Sequence, residues 1–490
     1  MKQADAVIID GGVEGAAAAA LLARAGLGVL LLMPEAGDPG AAYADYPAPF
    51  AAPLSDEIWR KLELDRFSPR AERAARRRFL FGDGESVDCA NLSDVEQAIA
   101  GFSSQDGSVV ADYFREIRRH RARLDPLLRR AGTSNAAAAK SSDLLKNVID
   151  SEEFRRSARF FWSGCEEALS HVFRSERTRR LLASSAFMRT FVSPRAPTSS
   201  LALFEDLRGA WPCFVQAGAP SARELLLEAA QYWGATVEHA PMTRIIVRDG
   251  RVLGVDAGDE NLIRCRAAIL FAQASRKAAS PWRAVFAEDS AVENSSDLGA
   301  VGITIEFEER IVFPDHLREQ DLLSTVYTVC GSIDDFAATH DEAMRGLWAH
   351  AAPFEFAFSV DEDRKFSLNI RAGFAPDSLA RRAAQAADAQ ALAFARQLAE
   401  RALKGLGAST PDMESVRFFA APGGAFAALV DESRNPPGTV ARRWPHFGGA
   451  GDWAAERLIA QPRFAGDRLG RAGGGAAKAA LADIFRKEAA

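Results

Sequence analysis

Ala6-Val7-Ile8-Ile9-Asp10-Gly11-Gly12-Val13-Glu14-Gly15 is the stretch from which the rest of the chain is read. Four consecutive apolar residues predict a strand buried on both faces of a parallel sheet. The glycine-rich residues behind them predict a tight turn. Ala16 to Ala25 then predicts an Ala/Leu helix stopped by Gly26, and Val29 to Met33 a second buried strand. The small alanines let that helix lie close against the sheet. The first 33 residues thus read as one β–α–β unit.

A glycine turn at such a junction has a mechanical purpose. Its first glycine makes the turn, and its second lets the backbone approach a pyrophosphate. Its third allows close helix–strand packing, and an acid ending the second strand takes the ribose hydroxyls. The phosphate charge then meets the unpaired N–H groups and positive dipole end of the helix. Here the pattern reads Asp10-x-Gly12-x-x-Gly15, with aspartate at the first glycine position and Met33 where the ribose acid belongs. Glu35 lies two residues further on, behind Pro34, as a substitute acid. A carboxylate facing a pyrophosphate at a few ångströms would cost on the order of several kcal/mol. Micromolar binding is worth only about 8 kcal/mol. The alternative is that Asp10 turns away and caps the helix behind it.

Outward from this unit, residues 34–53 are rich in Gly, Pro and Ala and predict a connecting loop. From about Leu54 to Ser200 the pattern is largely helical. It carries two basic stretches, Arg73 to Arg78 and Arg115 to Arg123, the second interrupted at Pro126, each read as a solvated helix face, with attraction to an anionic membrane surface or a partner as the alternative. Ala222 to Trp233 predicts an amphipathic helix closed by Gly234, followed by a short strand at Thr236-Val237-Glu238. Arg244–Val247 and Val252–Val255 predict a hairpin through Asp249-Gly250, and Ile263 to Phe271 a further strand. Val301 to Phe307 alternates in part, as an antiparallel strand with one wet face does. A long Ala-rich helix is expected from about Leu379 to Leu406, and a last one from Gly475 to Lys487. Asp361-Glu362-Asp363 reads as a turn, and Phe160-Phe161-Trp162 as core, with the lining of an apolar substrate tunnel as the alternative. Phe354, Phe356 and Phe358 read as one strand face that could line a cavity.

Composition narrows the function classes. The chain has 490 residues, with 60 Lys+Arg against 66 Asp+Glu, 48% hydrophobic and 26% charged. That is a globular chain long enough for more than one domain. Its mild acidity argues against nucleic acid as a partner. No apolar run predicts a transmembrane helix, and the N-terminus lacks the pattern of a signal peptide. Five scattered cysteines suit a cytoplasmic chain, and no His/Cys spacing suggests a metal site.

Taken together, these blocks resemble FAD-dependent oxidoreductases of the phytoene desaturase-like class, relatives of the amine oxidases. Gly209-Ala210-Trp211-Pro212 with Gly218 is similar to the family's Gly-Trp-Pro segment, and the stretch from Met242 to Val255 to its second flavin-domain segment. Gly449-Ala450-Gly451-Asp452-Trp453 resembles its C-terminal flavin motif; a second Ala465-Gly466-Asp467 leaves that alignment open. The resemblance implies that the Met242 backbone lies beside the adenine and that Gly451 and Asp452 meet the pyrophosphate and ribityl chain. With Gly11, Gly12, Gly15 and Glu35 these are the cofactor-binding candidates. No catalytic residue is singled out.

The fold expected is α/β, a doubly wound FAD-type (Rossmann-like) domain with a second helical plus antiparallel-sheet substrate domain. The first is assembled from residues 1–70, 205–290 and 415–490, the second from 71–204 and 291–414. The resemblance implies an FAD-dependent desaturase or dehydrogenase acting on a hydrophobic, isoprenoid-like substrate by hydride transfer to flavin. The departures at Asp10 and Met33 leave a second expectation open, a non-catalytic, flavin-poor subunit paired with an intact paralogous flavoprotein. Peripheral membrane contact is compatible with either.

Overall fold

The computed structural model describes residues 2–9, 13–33, 54, 56–68, 72–74, 76–82, 84–132, 152–187, 191–197, 199–204, 213–215, 222–239, 244–248, 251–257, 262–271, 298–349, 351–360, 365–421 and 458–461. Its N-terminal unit follows the apolar pattern. β1 (Lys2–Ile9) and β2 (Val29–Met33) flank α1 (Val13–Arg24). Val7, Ile8 and Leu31 are fully enclosed, as are Ala16 to Ala20 along the helix. Side chains this small bring the helix axis close to its neighbours. The helix stops because Gly26 takes φ 85°, which L side chains rarely adopt. Gly26 N–H donates to the Ala23 carbonyl and Leu27 N–H to that of Leu22, so the last carbonyls are satisfied.

Next come α2 (Asp56–Leu62), β3 (Glu72–Ala74), β4 (Arg76–Leu80) and β5 (Ser86–Cys89). A helical layer follows, α3 (Leu92–Phe102), α4 (Ser104–Gly132), α5 (Glu152–Trp162), α6 (Cys165–Val172) and α7 (Glu176–Phe187). β6 (Cys213–Val215), α8 (Ala222–Tyr232) and β7 (Thr236–His239) lead to β8 (Arg244–Arg248), β9 (Arg251–Asp256) and β10 (Leu262–Phe271). The remainder holds β11 (Leu298–Phe307), α9 (Glu319–Leu323), β12 (Thr325–Val329), α10 (Ile333–Met344), β13 (Phe354–Val360) and β14 (Phe366–Pro376). α11 (Asp377–Gln385), α12 (Ala389–Gly405), β15 (Met413–Ala421) and β16 (Leu458–Gln461) complete it.

Two seven-stranded sheets organise these elements. The first runs β7-β2-β1-β10-β9-β8, with β16 also on β10. β7, β2, β1, β10 and β16 are parallel, while β9 and β8 form an antiparallel extension. Strands from the beginning, middle and end of the chain therefore share one Rossmann-like sheet. α1 and α8 pack on it through an alanine- and leucine-rich core.

The second sheet runs β15-β11-β14-β13-β12-β4-β5 and has two unlike faces. Phe354, Phe356, Phe358, Leu368 and Ile370 fill one face against Phe394 and Leu398 of α12. The opposite face is taken up by Phe79 and the helical layer of α3 to α7 and α10. Phe354, Phe356 and Phe358 are wholly enclosed, so they are core and line no cavity.

Several sequence readings change. Arg73 and Arg76 to Arg78 are in strands, not helix: β3 pairs antiparallel with β6, and β4 is captured in parallel by β12 and antiparallel by β5. β11 is buried nearly throughout, since β14 and β15 flank it and both its faces are covered. The expected helix from Leu379 to Leu406 is two helices, broken where Asp388 caps α12 by accepting the Ala391 N–H at 2.8 Å. α4 continues through Pro126. Phe160 packs against the core and stacks on His120 at 4.8 Å, but Trp162 is half exposed. Asp361-Glu362-Asp363 and the helix expected at Gly475–Lys487 lie outside the described residues.

Candidate functional site

The C-terminal ends of the parallel strands form the first place where chemistry gathers. α1 begins four residues after β1 ends, so its N-terminus opens at the edge of the sheet, between β1 and β2. Helix N–H groups at that edge, together with the dipole of a twelve-residue helix, favour an anionic group. Gly15 sits buried in the first turn. Met33 ends β2 opposite His239 of β7 and is only 4% exposed. Arg223, in the first turn of α8, brings its Nη2 to 3.9 Å from Met33 Sδ. This corner therefore holds a thioether and a guanidinium where an acid is expected. Among the described residues the helix start suits an anionic group such as a pyrophosphate, and the corner at Met33 departs from the usual pattern at the ribose half.

Of the sequence-nominated residues, Gly15 is thus placed at the helix start. Gly11, Gly12, Glu35, Met242, Gly451 and Asp452 lie outside the described residues, as does Asp10. Arg223 was missed because nothing in a helix pattern says which residue of its first turn meets the end of another strand.

A second concentration of polar groups occupies the centre of the second sheet, on the face turned to α7. Arg77 donates from Nε to Thr328 Oγ1 and from Nη1 to Ser185 Oγ, each at 3.0 Å, and from Nη2 to Glu355 Oε1. Its guanidinium also lies 4.8 Å from the centre of the Phe79 ring. Glu355 is 1% exposed, and its second oxygen stands 3.8 Å from Nη1 of Arg371. Thr304, Asn369 and Ser359 continue the polar row, Thr304 Oγ1 to Asn369 Oδ1 at 2.9 Å and Asn369 Nδ2 to Ser359 Oγ at 2.8 Å. Strand register creates this row. Thr328 pairs with Glu355, Glu355 with Arg371, and Arg371 with Gly302. The sequence carried a signal for it: Glu355 and Arg371 are lone charges inside the apolar runs of β13 and β14. A charge so placed must find a partner when its strand is buried.

Among the described residues no group of His, Cys, Asp and Glu is placed to hold a metal ion. None of their helices is long and apolar enough to cross a membrane.

No protein-family model matches the chain, and no curated protein matches it by sequence. Solved structures do. An oxidoreductase from Methanosarcina mazei is 11% identical, with all of both chains covered and a TM-score of 0.50. A putrescine oxidase variant, made in a redesign of cofactor binding, is 12% identical over 99% of each chain, also at 0.50. At such identities the likeness concerns the fold. The fold these structures share with the chain is a Rossmann-like domain joined to a second domain.

Proposed function

We propose that the chain is an FAD-dependent oxidoreductase acting on a hydrophobic, isoprenoid-like substrate in the cytoplasm, with peripheral membrane contact where that substrate resides in lipid. The observation that carries this reading is the junction of β1 and α1, which opens a helix N-terminus at the parallel edge of a sheet built from both ends of the chain. FAD, when bound, supplies the hydride acceptor. The chain's own groups bind and orient it. Gly11, Gly12 and Gly15 make the turn at the pyrophosphate, and Glu35 stands in for the acid that Met33 replaces. The Met242 backbone meets the adenine, and Gly451 with Asp452 the pyrophosphate and ribityl chain. The second sheet and its helices hold the substrate and keep water from it.

The test is the visible absorption spectrum of the gently purified protein, before and after adding FAD. Flavin bands that stay with the protein through gel filtration support the reading. A colourless protein that ignores added FAD refutes it and turns attention to a paralogous flavoprotein as partner. One double variant examines the altered corner. In Met33→Glu alone, the new carboxylate is drawn to Arg223 rather than to ribose hydroxyls. Met33→Glu with Arg223→Gln frees it, and FAD affinity should rise roughly tenfold or more, the worth of one or two hydrogen bonds to a charged group. An equal gain from Met33→Glu alone would mean that Arg223 has no hold on this corner.

A further inference from the structure

We infer that Arg371 receives a carboxylate of the substrate, so that the molecule bound on the second sheet is an apolar acid. The inference deepens the oxidoreductase reading and rests on it only in calling that molecule a substrate.

Charge is the starting point. On the enclosed centre of this sheet face two arginines share one acid. Arg77 and Glu355 have side chains 8% and 1% exposed, and Arg371 is 16% exposed. Arg77 satisfies Nε, Nη1 and Nη2 on Thr328, Ser185 and Glu355. Arg371 does not do the same. Its Nη1 stands 3.8 Å from Glu355, an ion-pair separation beyond hydrogen-bond reach, and its buried Nε has no acceptor. A cation with an unused donor, in a cluster whose described members carry one positive charge over, is costly to keep inside a protein. An anion arriving from outside would remove that cost.

Two of the strand positions nearest Arg371 on this face are glycines. Directly across the strand pair from Arg371 stands Gly302, and two residues further along β14 stands Gly373. Neither puts a side chain over the guanidinium. The ring of Phe191 lies 3.2 Å from where a β-carbon on Gly373 would be, which gives the approach an apolar wall. The planar fork of arginine offers two parallel N–H groups, the geometry that a carboxylate accepts. An amine would be repelled by the net charge, and an alcohol would leave it uncompensated. A carboxylate at Arg371 with its carbon chain along Phe191 satisfies the orphaned donor, the charge and the apolar wall together. It also fixes which end of the substrate is held, and so which carbon reaches the reacting centre.

The experiment is isothermal calorimetry on the purified full-length protein with decanoate, decylamine, decanol and inorganic phosphate as probes, with and without FAD. Decanoate should bind roughly tenfold or more tightly than the other three, as one charge-assisted fork implies. Arg371→Met should erase that preference and leave decanol binding and the melting temperature near those of the parent, because Arg77 still neutralises Glu355. Arg371→Lys should restore part of it. Arg417→Met, which removes an exposed partner of Glu306, should leave it intact. Equal binding of the carboxylate, amine and alcohol overturns the inference, as does tighter binding of phosphate or a preference that survives Arg371→Met. Failure to bind FAD, read from absorbance in the same samples, would defeat the oxidoreductase reading while leaving the carboxylate preference to stand or fall separately.

Discussion

Glu355→Gln offers a demanding test of the second sheet. The substitution keeps the shape of the side chain and removes its charge. Two guanidiniums then remain on the enclosed face, Arg77 at 8% and Arg371 at 16% exposure, with no acid among the groups described beside them. Breaking a buried ion pair from one side typically costs about 3–5 kcal/mol, because the surviving charge is left uncompensated. For a cooperative unit of about 150–250 residues, each kcal/mol moves the melting temperature by about 2–4 °C. A fall of roughly 6–20 °C is expected, read by differential scanning calorimetry at neutral pH. Replacing all three members with apolar residues, Arg77→Met with Glu355→Leu and Arg371→Met, should recover most of it, since a well-packed apolar substitute for a buried ionic cluster is often neutral. A Glu355→Gln protein melting within about 2 °C of the parent would refute the view that Glu355 neutralises enclosed guanidiniums here.

Other outcomes follow from single groups. The thiol of Cys330 is enclosed although the residue as a whole is partly exposed, and burial pushes it up to about 12. Only about one thiol in ten thousand is then ionised at pH 8, so iodoacetamide should label Cys330 in denaturant and spare it in the native protein, as peptide mass mapping would read. His120 is held below its ordinary 6.5, chiefly by burial against Phe160, with Glu116 opposing. The unfolded chain therefore takes up the proton first, so its contribution is whole above about pH 6.5 and is lost as the pH falls below that. The melting temperature should drop more steeply between pH 7 and pH 5 in the parent than in His120→Gln. Gly254→Ala would drive a methyl group into the backbone carbonyl of Ile263 on β10. It should destabilise the first sheet by about 1–3 kcal/mol, seen as a lower melting temperature together with weaker FAD retention.

The first sheet was legible because its signals are local. Ala6 to Ile9 and Val29 to Leu32 are apolar without interruption, and only strands buried on both faces need that. Gly26 and Gly234 stop their helices by taking φ of 85° and 98°, so two boundaries could be read to within a residue or two. Arg73 to Arg78 misled for the opposite reason. Taken alone it has the charge of a solvated helix, and only distant partners make strands of it, β6 for Arg73 and β12, about 250 positions later, for Arg76 to Arg78. Likewise the alanines between Leu379 and Leu406 favour helix everywhere, and the break comes from one capping carboxylate, Asp388.

The site follows the same division. A helix N-terminus next to a parallel strand is a consequence of adjacent residues, so its anion-binding character can be read from the chain. The Arg77–Glu355–Arg371 row joins β4, β13 and β14, and no spacing rule links residues 278 positions apart. What the sequence does offer is a constraint. A glutamate between Phe354 and Phe356, and an arginine between Ile370 and Ala372, can be buried only if each meets an opposite charge. Pairing the two with each other would satisfy that constraint and leave the sheet closed to ligands. Arg77 upsets the balance. By taking Glu355 at hydrogen-bond distance it leaves Arg371 at 3.8 Å with an idle donor. The added arginine, which stabilises the fold through three hydrogen bonds, is thereby the residue that gives the second sheet its appetite for an acid.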